Sequence, residues 1–218
     1  MTGSAVQEAL HAYRQGFFPM AESRDAADYG WYWAPVRSLL PIDTLHVPRR
    51  LKRLALQNPF EIRVDHDFTG VLDGCAAPRN GQPETWINAS LRDLLTTLHK
   101  AGHAHSVECW KDGRLAGGLY GIALGRAFCG ESMFSVETNA SKIALLHLCA
   151  RLKDGGFRLL DAQYRNPHLL QFGAYEISGE DYVEKLTSYA HQPSNFSLQG
   201  FNHENETARI MNFLKFSS

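Results

Sequence analysis

The sequence predicts an α+β fold with a mixed, largely antiparallel sheet flanked by helices, and three features carry that prediction. Between His105 and Phe134, three apolar runs are separated by Lys111-Asp112-Gly113-Arg114 and by Gly125-Arg126, both good hairpin connections, so the stretch reads as an antiparallel meander. Ile143, Leu145, Leu146, Leu148, Cys149 and Leu152 then recur with helical character, with Asn139 as cap and Gly155-Gly156 as stop. Phe157 to Gln163 returns as a strand that ends in polar residues.

Taken from the N-terminus, Ser4 to Gln7 reads as a capping box, and Val6, Leu10 and Tyr13 follow at helical spacing until Gly16. Residues 20–47, with the aromatics Tyr29, Trp31, Tyr32 and Trp33, show no clear period and read as loop plus one short strand. A basic helix over about Pro48–Leu56 follows, then a strand from Phe60 to Val64 and a short helix with Phe68, Val71, Leu72 and Cys75 on one face. Turn residues over 78–84 break the pattern before Asn88 caps a helix with a Leu91, Leu94, Leu95, Leu98 stripe, closed by Gly102. A last helix spans about Asp181–Tyr189, and residues 190–218 read as an appended tail. Meander, helix, strand is also the order of acyltransferase-like (GNAT-like) folds, which splay two strands to open an acceptor site.

Composition narrows the function classes. With 218 residues, 44% hydrophobic and 21% charged, the chain is expected to be globular, as one large domain or one domain with a small N-terminal addition. The N-terminus lacks a basic stretch followed by an apolar signal core, and no run of about 18 apolar residues occurs, so a cytoplasmic protein with no membrane partner is expected. Cys75, Cys109, Cys129 and Cys149 lack paired spacing and read as buried, reduced thiols. A net charge of -1 excludes a generic nucleic-acid-coating surface but allows a local patch, and Arg49, Arg50, Lys52 and Arg53 form the one dense cluster.

Two groups of residues could carry chemistry. Within Phe128-Cys129-Gly130-Glu131-Ser132-Met133-Phe134-Ser135, one carboxylate sits among apolar residues at a strand end, where an unpaired charge is costly. Glu131 either pairs with a nearby cation or backbone donor, or captures a substrate ammonium. Asp161 and Gln163 are spaced to share one face of a strand, roughly 7 Å apart. They read as a polar floor, or Asp161 as an ordinary cap for the following turn, and Asn166 and His168 lengthen the polar run. His99, His103 and His105 come with no H-E-x-x-H or C-x-x-C, so no metal site is expected, and Cys129 in an apolar strand reads as a small hydrophobe.

Together with their neighbours these groups resemble the bacterial leucyl/phenylalanyl-tRNA-protein transferases. The resemblance includes Ala12-Tyr13, Gly16, Phe18-Pro19, Trp33-x-Pro35, Leu45-His46, Arg49, Lys52-Arg53, Thr85-Trp86-Ile87 and Leu98-His99-x-x-Gly102-His103-Ala104-His105-Ser106-Val107-Glu108. It continues through Gly117-Gly118-x-Tyr120-Gly121, the Phe128–Ser135 block, Asn139-Ala140-Ser141-Lys142, Asp161-x-Gln163 and Gly173-Ala174, covering about residues 5–189. It implies a small N-terminal subdomain (1–58), an acyltransferase-like catalytic domain (59–189) and a tail (190–218). It further implies an enzyme that moves Leu or Phe from aminoacyl-tRNA to proteins beginning with Arg or Lys, making a degradation signal.

Carried over by the resemblance, Asp161 looks like the general base or its electrostatic support, Gln163 its hydrogen-bonding partner, and Glu131 the group facing the aminoacyl ammonium. Trp86, Phe128, Met133 and Phe134 match residues at or near the hydrophobic pocket, and Asn166 is counted among the substrate-binding residues. Arg49, Lys52 and Arg53 match cations expected at the tRNA. The activated ester needs no cofactor, and a monomer is the default expectation. Some positions depart from the family: Met20 stands where a pocket Trp is expected, Leu119 and Leu148 where Met and Phe are common, and Leu54-Ala55-Leu56-Gln57 where further cations occur. Ala162 replaces a usual Cys, Phe172 a common Leu, and the usual leading segment is expected to be lacking. These exchanges reshape the pocket, so discrimination among Leu, Phe and Met should be graded. A CoA-dependent N-acetyltransferase is the alternative; Val136-Glu137-Thr138-Asn139 offers no glycine-rich pyrophosphate loop for it. A non-catalytic tRNA- or peptide-binding protein is a second alternative, against which Glu131, Asp161 and Gln163 stand.

Overall fold

The computed structural model describes residues 2–78, 84–197 and 203–216. Helix α1 (Thr2–Arg14) buries Val6, Ala9, Leu10 and Tyr13, the single apolar face its periodicity requires. It begins ahead of the expected capping box: Ser4 lies inside the helix, and its hydroxyl donates to Glu8 Oε1 at 2.6 Å. Three short strands follow where one was expected. β1 (Phe18–Met20) and β2 (Gly30–Tyr32) pair as a ribbon, and β3 (Val36–Leu40) enters the main sheet.

The next four elements, α2 (Arg49–Leu56), β4 (Glu61–Val64), α3 (Phe68–Ala76) and α4 (Ala89–Lys100), lie where the periodicity places them. Asp67 and Asn88 cap the two later helices, accepting from Gly70 N–H at 2.9 Å and Leu91 N–H at 2.8 Å. Most of the turn expected over 78–84, namely 79–83, lies outside the described residues.

The meander is β5 (Ala104–Lys111), β6 (Arg114–Leu124) and β7 (Ala127–Ser135), and α5 (Ala140–Asp154) crosses over from it to β8 (Leu159–Asp161). Asn139 stands at the N-cap of α5 with a left-handed φ of 68° and no side-chain hydrogen bond, so it turns the chain rather than capping the helix. Strand β8 is shorter than the expected 157–163, because Gln163 adopts a left-handed φ of 53° that no extended strand can hold. α6 (Pro167–Leu170), β9 (Tyr175–Ser178) and α7 (Gly179–Tyr189) follow.

Seven strands form one sheet in the order β4-β5-β6-β7-β8-β3-β9, with β7 and β8 the one parallel pair among the described residues. The α+β architecture with a mixed, mainly antiparallel sheet is therefore present. One apolar cluster includes α5 and Phe128, and a second includes α1, α3 and α4. The stretch that reads as a tail carries Phe196 and α8 (His203–Phe216), which packs on α5 and α2 and buries Ile210, Phe213 and Leu214; residues 198–202 and 217–218 of it lie outside the described residues. Glu206, 1% exposed, pairs there with Arg151 and Arg209, the compensation that a buried carboxylate needs. Among the described residues no helix is long and apolar enough to cross a membrane.

Candidate active site

The sheet opens at its one parallel junction. β7 and β8 share three rungs, Ala127↔Leu159, Phe128↔Leu160 and Cys129↔Asp161, after which β7 runs on to Ser135 while β8 ends. Two local features part them. On β7 the register with β6 slips, pairing Gly121 with Gly130 and Tyr120 with Ser132, so Glu131 is the extra residue of a bulge, a feature that re-aims side chains. On the other side the chain bends at Gln163 and is held by β3: Ala162 N–H donates to Ser38 O, and Ser38 N–H to Gln163 O, each at 2.9 Å. A cavity of about 230 Å³ lies at this opening, lined by Glu131, Gln163 and Asn166 together with Met20, Trp86 and the rings of Phe18 and Tyr164.

Asp161 lies behind the cavity wall, 1% exposed. Arg37, equally buried, donates to it from Nε at 3.1 Å and from Nη2. Tyr182 Oη–H adds a bond of 3.0 Å and the Gln163 backbone N–H one of 2.9 Å. Burial works against the Arg37 charge, but the adjacent Asp161 carboxylate outweighs it and holds the guanidinium pKa above its usual value. Arg37 also donates to the Gly16 carbonyl at 2.8 Å and lies over the rings of Phe18 and Tyr182, at 4.7 and 4.2 Å from their centroids. It thus joins the end of α1, the β1 strand and α7 to β8.

Among the described residues no cation pairs with Glu131 in this way. Its Oε1 accepts from Tyr13 Oη–H at 3.0 Å and from Gln163 Nε2 at 3.3 Å, and no hydrogen bond to Oε2 occurs among the described residues. Burial pushes its carboxyl up to about 8 from an ordinary 4.5; the Tyr13 bond and Arg37 pull it down, and the Asp161 charge adds to the rise. Gln163 links the two carboxylates, backbone to Asp161 and side chain to Glu131.

The Trp86 loop is fastened to the β1–β2 ribbon. Ala21 N–H donates to the Trp86 carbonyl at 3.0 Å, and the Asn88 amide donates to the carbonyls of Ala26 and Asp28 at 2.8 and 2.9 Å. Asn166 accepts from His168 N–H at 2.9 Å and starts α6 at the cavity's edge.

Of the sequence-expected residues, Glu131, Gln163, Trp86, Met20 and Asn166 meet at one cavity. Phe128, Leu119, Leu148 and Phe134 do not line it, being 0%, 3%, 1% and 6% exposed. The extra residue at Glu131 offsets the strand alternation, so Phe128 and Met133 fall on the α5 side and Phe134 on the other. Phe128 stacks there on Phe196, centroids 5.4 Å apart. Arg53 lines a second cavity of about 580 Å³ with Arg50, Lys142 and Asn139, while Arg49 is exposed and Lys52 half-buried elsewhere on α2. Arg37 lies outside the sequence-expected set; its signal is a cation inside the apolar run Val36-Arg37-Ser38-Leu39-Leu40.

The other chemically reactive residues are accounted for by structure. Glu108, fully buried, accepts from His66 N–H, Asp67 N–H, Ser106 Oγ and Trp110 Nε1, and His105 Nδ1 lies 2.7 Å from Asp65 Oδ2, so the His-rich motif ties β5 to the β4–α3 loop. Among the described residues no group of three His, Cys, Asp or Glu side chains could hold a metal ion. All four cysteines are buried, and burial pushes the Cys129 thiol up, away from thiolate chemistry.

A mixed sheet that parts at a parallel junction to hold a carboxylate, a carboxamide and aromatic walls defines an acyltransferase-like protein, one that can seat an acyl group beside an amine. Comparison with known proteins agrees and is more specific. The family model described as leucyl/phenylalanyl-tRNA protein transferase matches residues 39–187, and the model for the N-terminal domain of that protein matches residues 5–34. Curated relatives named leucyl/phenylalanyl-tRNA–protein transferase include one from Hyphomonas neptunium, 51% identical over 83% of this chain and 70% of its own length. Those from Maricaulis maris and Rhodopseudomonas palustris are 47% and 51% identical, over 85% and 81% of this chain and 86% and 79% of their own lengths. The chain belongs to the leucyl/phenylalanyl-tRNA-protein transferase family. The solved structure of L-PGS from Bacillus licheniformis is similar at a TM-score of 0.40 with 10% identity, over 92% of this chain and 66% of that one, too slight a likeness to bear on fold or function.

Proposed function

We propose that this chain transfers Leu or Phe, with Met as the expected leak, from aminoacyl-tRNA to the N-terminal Arg or Lys of acceptor proteins, forming a peptide bond that marks them for degradation. The carrying observation is the opening between β7 and β8, where Glu131 and Gln163 converge beside Trp86 and Met20 in a chain of this family. A cavity of about 230 Å³ is smaller than the roughly 300–1,000 Å³ of drug-sized ligand sites, which suits an aminoacyl head whose nucleotides lie outside. The ester is already activated and the attacking α-amine has a pKa near ~8, so the enzyme has to hold the two in attack geometry and accept one proton. Orientation of that kind is worth roughly 7–11 kcal/mol, and no cofactor is required.

In this proposal Asp161 and Gln163 act as a unit. Asp161, fixed by Arg37 and Tyr182, supplies electrostatic support, and Gln163 meets the reacting groups. Glu131 faces the aminoacyl ammonium, with Asn166 at the rim. Phe128, Met133, Phe134, Leu119 and Leu148 back the site, and their packing limits how far a slot for Leu or Phe can open. Arg49, Lys52 and Arg53 meet tRNA phosphates; for Arg53 this is supported by the cavity it shares with Arg50 and Lys142 at the N-terminus of α5. We place the protein in the cytoplasm with its charged tRNA, as a monomer.

The test is incubation of the purified protein with radiolabelled Phe-tRNA, Leu-tRNA or Met-tRNA and either an Arg-starting or a Met-starting acceptor. Label should enter the Arg-starting acceptor, from Phe-tRNA and Leu-tRNA more than from Met-tRNA. Label in neither acceptor would refute the function, and equal label in both would refute the acceptor rule.

A further inference from the structure

Two carboxylates stand at the β7–β8 opening, and the structure treats them oppositely. Asp161 is closed off: 1% exposed, it takes two donors from Arg37, one from Tyr182 and one from the Gln163 backbone, and it does not line the cavity. A group so paired has neither the access nor the spare acceptor capacity to take a proton from a substrate. Glu131 lines the cavity, and both its hydrogen bonds go to Oε1.

We propose that Glu131, rather than Asp161, accepts the proton of the attacking α-amine, with Tyr13 and Gln163 holding the carboxylate in place. This rests on the aminoacyl-transfer function proposed above. Once bond formation begins, the donor's α-nitrogen and the attacking nitrogen are borne by adjacent carbons, so a carboxylate that meets the first is within reach of the second. The attacking nitrogen forms the new C–N bond as its proton passes to Glu131. The ester C–O bond then breaks, and Glu131 returns that proton to the departing ribose oxygen. The products are an amide and tRNA with a free hydroxyl, and Glu131 is again a carboxylate.

The surroundings suit that task. Facing Glu131 are Tyr13 from α1, Tyr120 from β6, Cys129 on its own strand, Asp161 from β8 and Arg37 from β3. Tyr120 Oη is buried without a hydrogen-bond partner among the described residues, and burial and the nearby Glu131 charge hold its pKa well above the usual value, so it stays neutral. The Glu131 carboxyl, raised to about 8, matches an amine near ~8, and proton exchange between matched groups has no large uphill component.

The experiment is a single-turnover pH–rate series with saturating Phe-tRNA and Arg-starting acceptor, for wild type, Glu131→Gln, Tyr13→Phe and Asp161→Asn. Wild type should rise with pH to a plateau with a midpoint near 8. Glu131→Gln should lose on the order of 10²-fold in the plateau rate and keep only the limb set by the amine itself. Tyr13→Phe removes a bond that favours the carboxylate, so its midpoint should move upward; the amine's own titration would not move. Asp161→Asn should be slower but keep the limb. A Glu131→Gln variant with the wild-type plateau rate, an unshifted midpoint in Tyr13→Phe, or loss of the limb only in Asp161→Asn would each overturn the proposal. Absence of transfer by wild type would instead sink the function on which it rests.

Discussion

Replacing Arg37 by Met tests the pairing that closes Asp161 away from the cavity. Both partners are 1% exposed, so the variant leaves an anion buried without its cation, a change that costs about 3–5 kcal/mol. Tyr182 Oη–H and the Gln163 N–H still donate to Asp161, which moves the expectation to the lower end of that range. Loss of the Arg37 bond to the Gly16 carbonyl adds back about 1 kcal/mol. The sum is about 4 kcal/mol, or a fall in Tm of roughly 8–16 °C for a chain of this length. Urea unfolding followed by tryptophan fluorescence measures the first quantity and calorimetry the second. The double variant Arg37→Met with Asp161→Leu should recover part of the loss but not all, because the Tyr182 and Gln163 donors would then lack an acceptor. A cost below about 1 kcal/mol for Arg37→Met would show that the pair is not the fastening described.

Three further outcomes are expected. Arg50→Ala with Arg53→Ala should weaken tRNA binding and lower the salt slope by about 1.4–1.8, the value of two phosphate contacts; an unchanged slope would mark α2 as a solvated face. Phe196→Ala should cost about 3–5 kcal/mol in urea unfolding, since the ring stacks on both His105 and Phe128 at centroid distances of 4.2 and 5.4 Å, and a cost typical of a surface site would detach the C-terminal segment from the core. The folded Glu131 carboxyl is raised to about 8 from 4.5, so its contribution to stability is complete below pH 4.5 and is lost as pH rises through 8. Glu131→Gln lacks this titration and should therefore gain on wild type over that window, by on the order of 3 kcal/mol; parallel stability curves would contradict the raised value.

What could be read from the sequence depended on the range of each signal. The meander, the α4 stripe and α5 are repetitive over many residues, and each falls within a residue or two of its expected bounds. Asp161 and Gln163 are neighbours joined by a backbone hydrogen bond, but they do not share the strand face that their spacing predicts. Strand spacing placed both side chains on one face, whereas Gln163 leaves the strand in a left-handed conformation and reaches Glu131 instead. No local pattern announces that bend, because β3 holds it through Ser38. Arg37 escaped for the same reason: its partner is 124 residues away, and a five-residue strand carries little period. The apolar positions of α8 emerge only beyond a polar stretch, and the Arg151 and Arg209 pairs that bury Glu206 depend on the helix being docked.

The division of labour between the two acidic groups follows from where the strands part. Gly130 lies at that point: a Cβ there would sit 3.2 Å from the Asp161 carbonyl oxygen, closer than side-chain carbons ordinarily approach, so any other residue would press on the last rung between β7 and β8 by a few tenths of an ångström. One residue further, the bulge removes Glu131 from the ladder and turns it toward the cavity, while Asp161, still within the last rung, keeps its donors. A carboxylate in the ladder is compensated and inert; one just past it is under-compensated and responsive to an incoming amine. An activated ester already contains the driving force for amide formation, so a transferase of this kind needs a group that can take and return one proton more than it needs a strong catalyst. Leaving Glu131 short of a cation costs stability at neutral pH, and that cost is the reason it can answer the positive charge of a substrate.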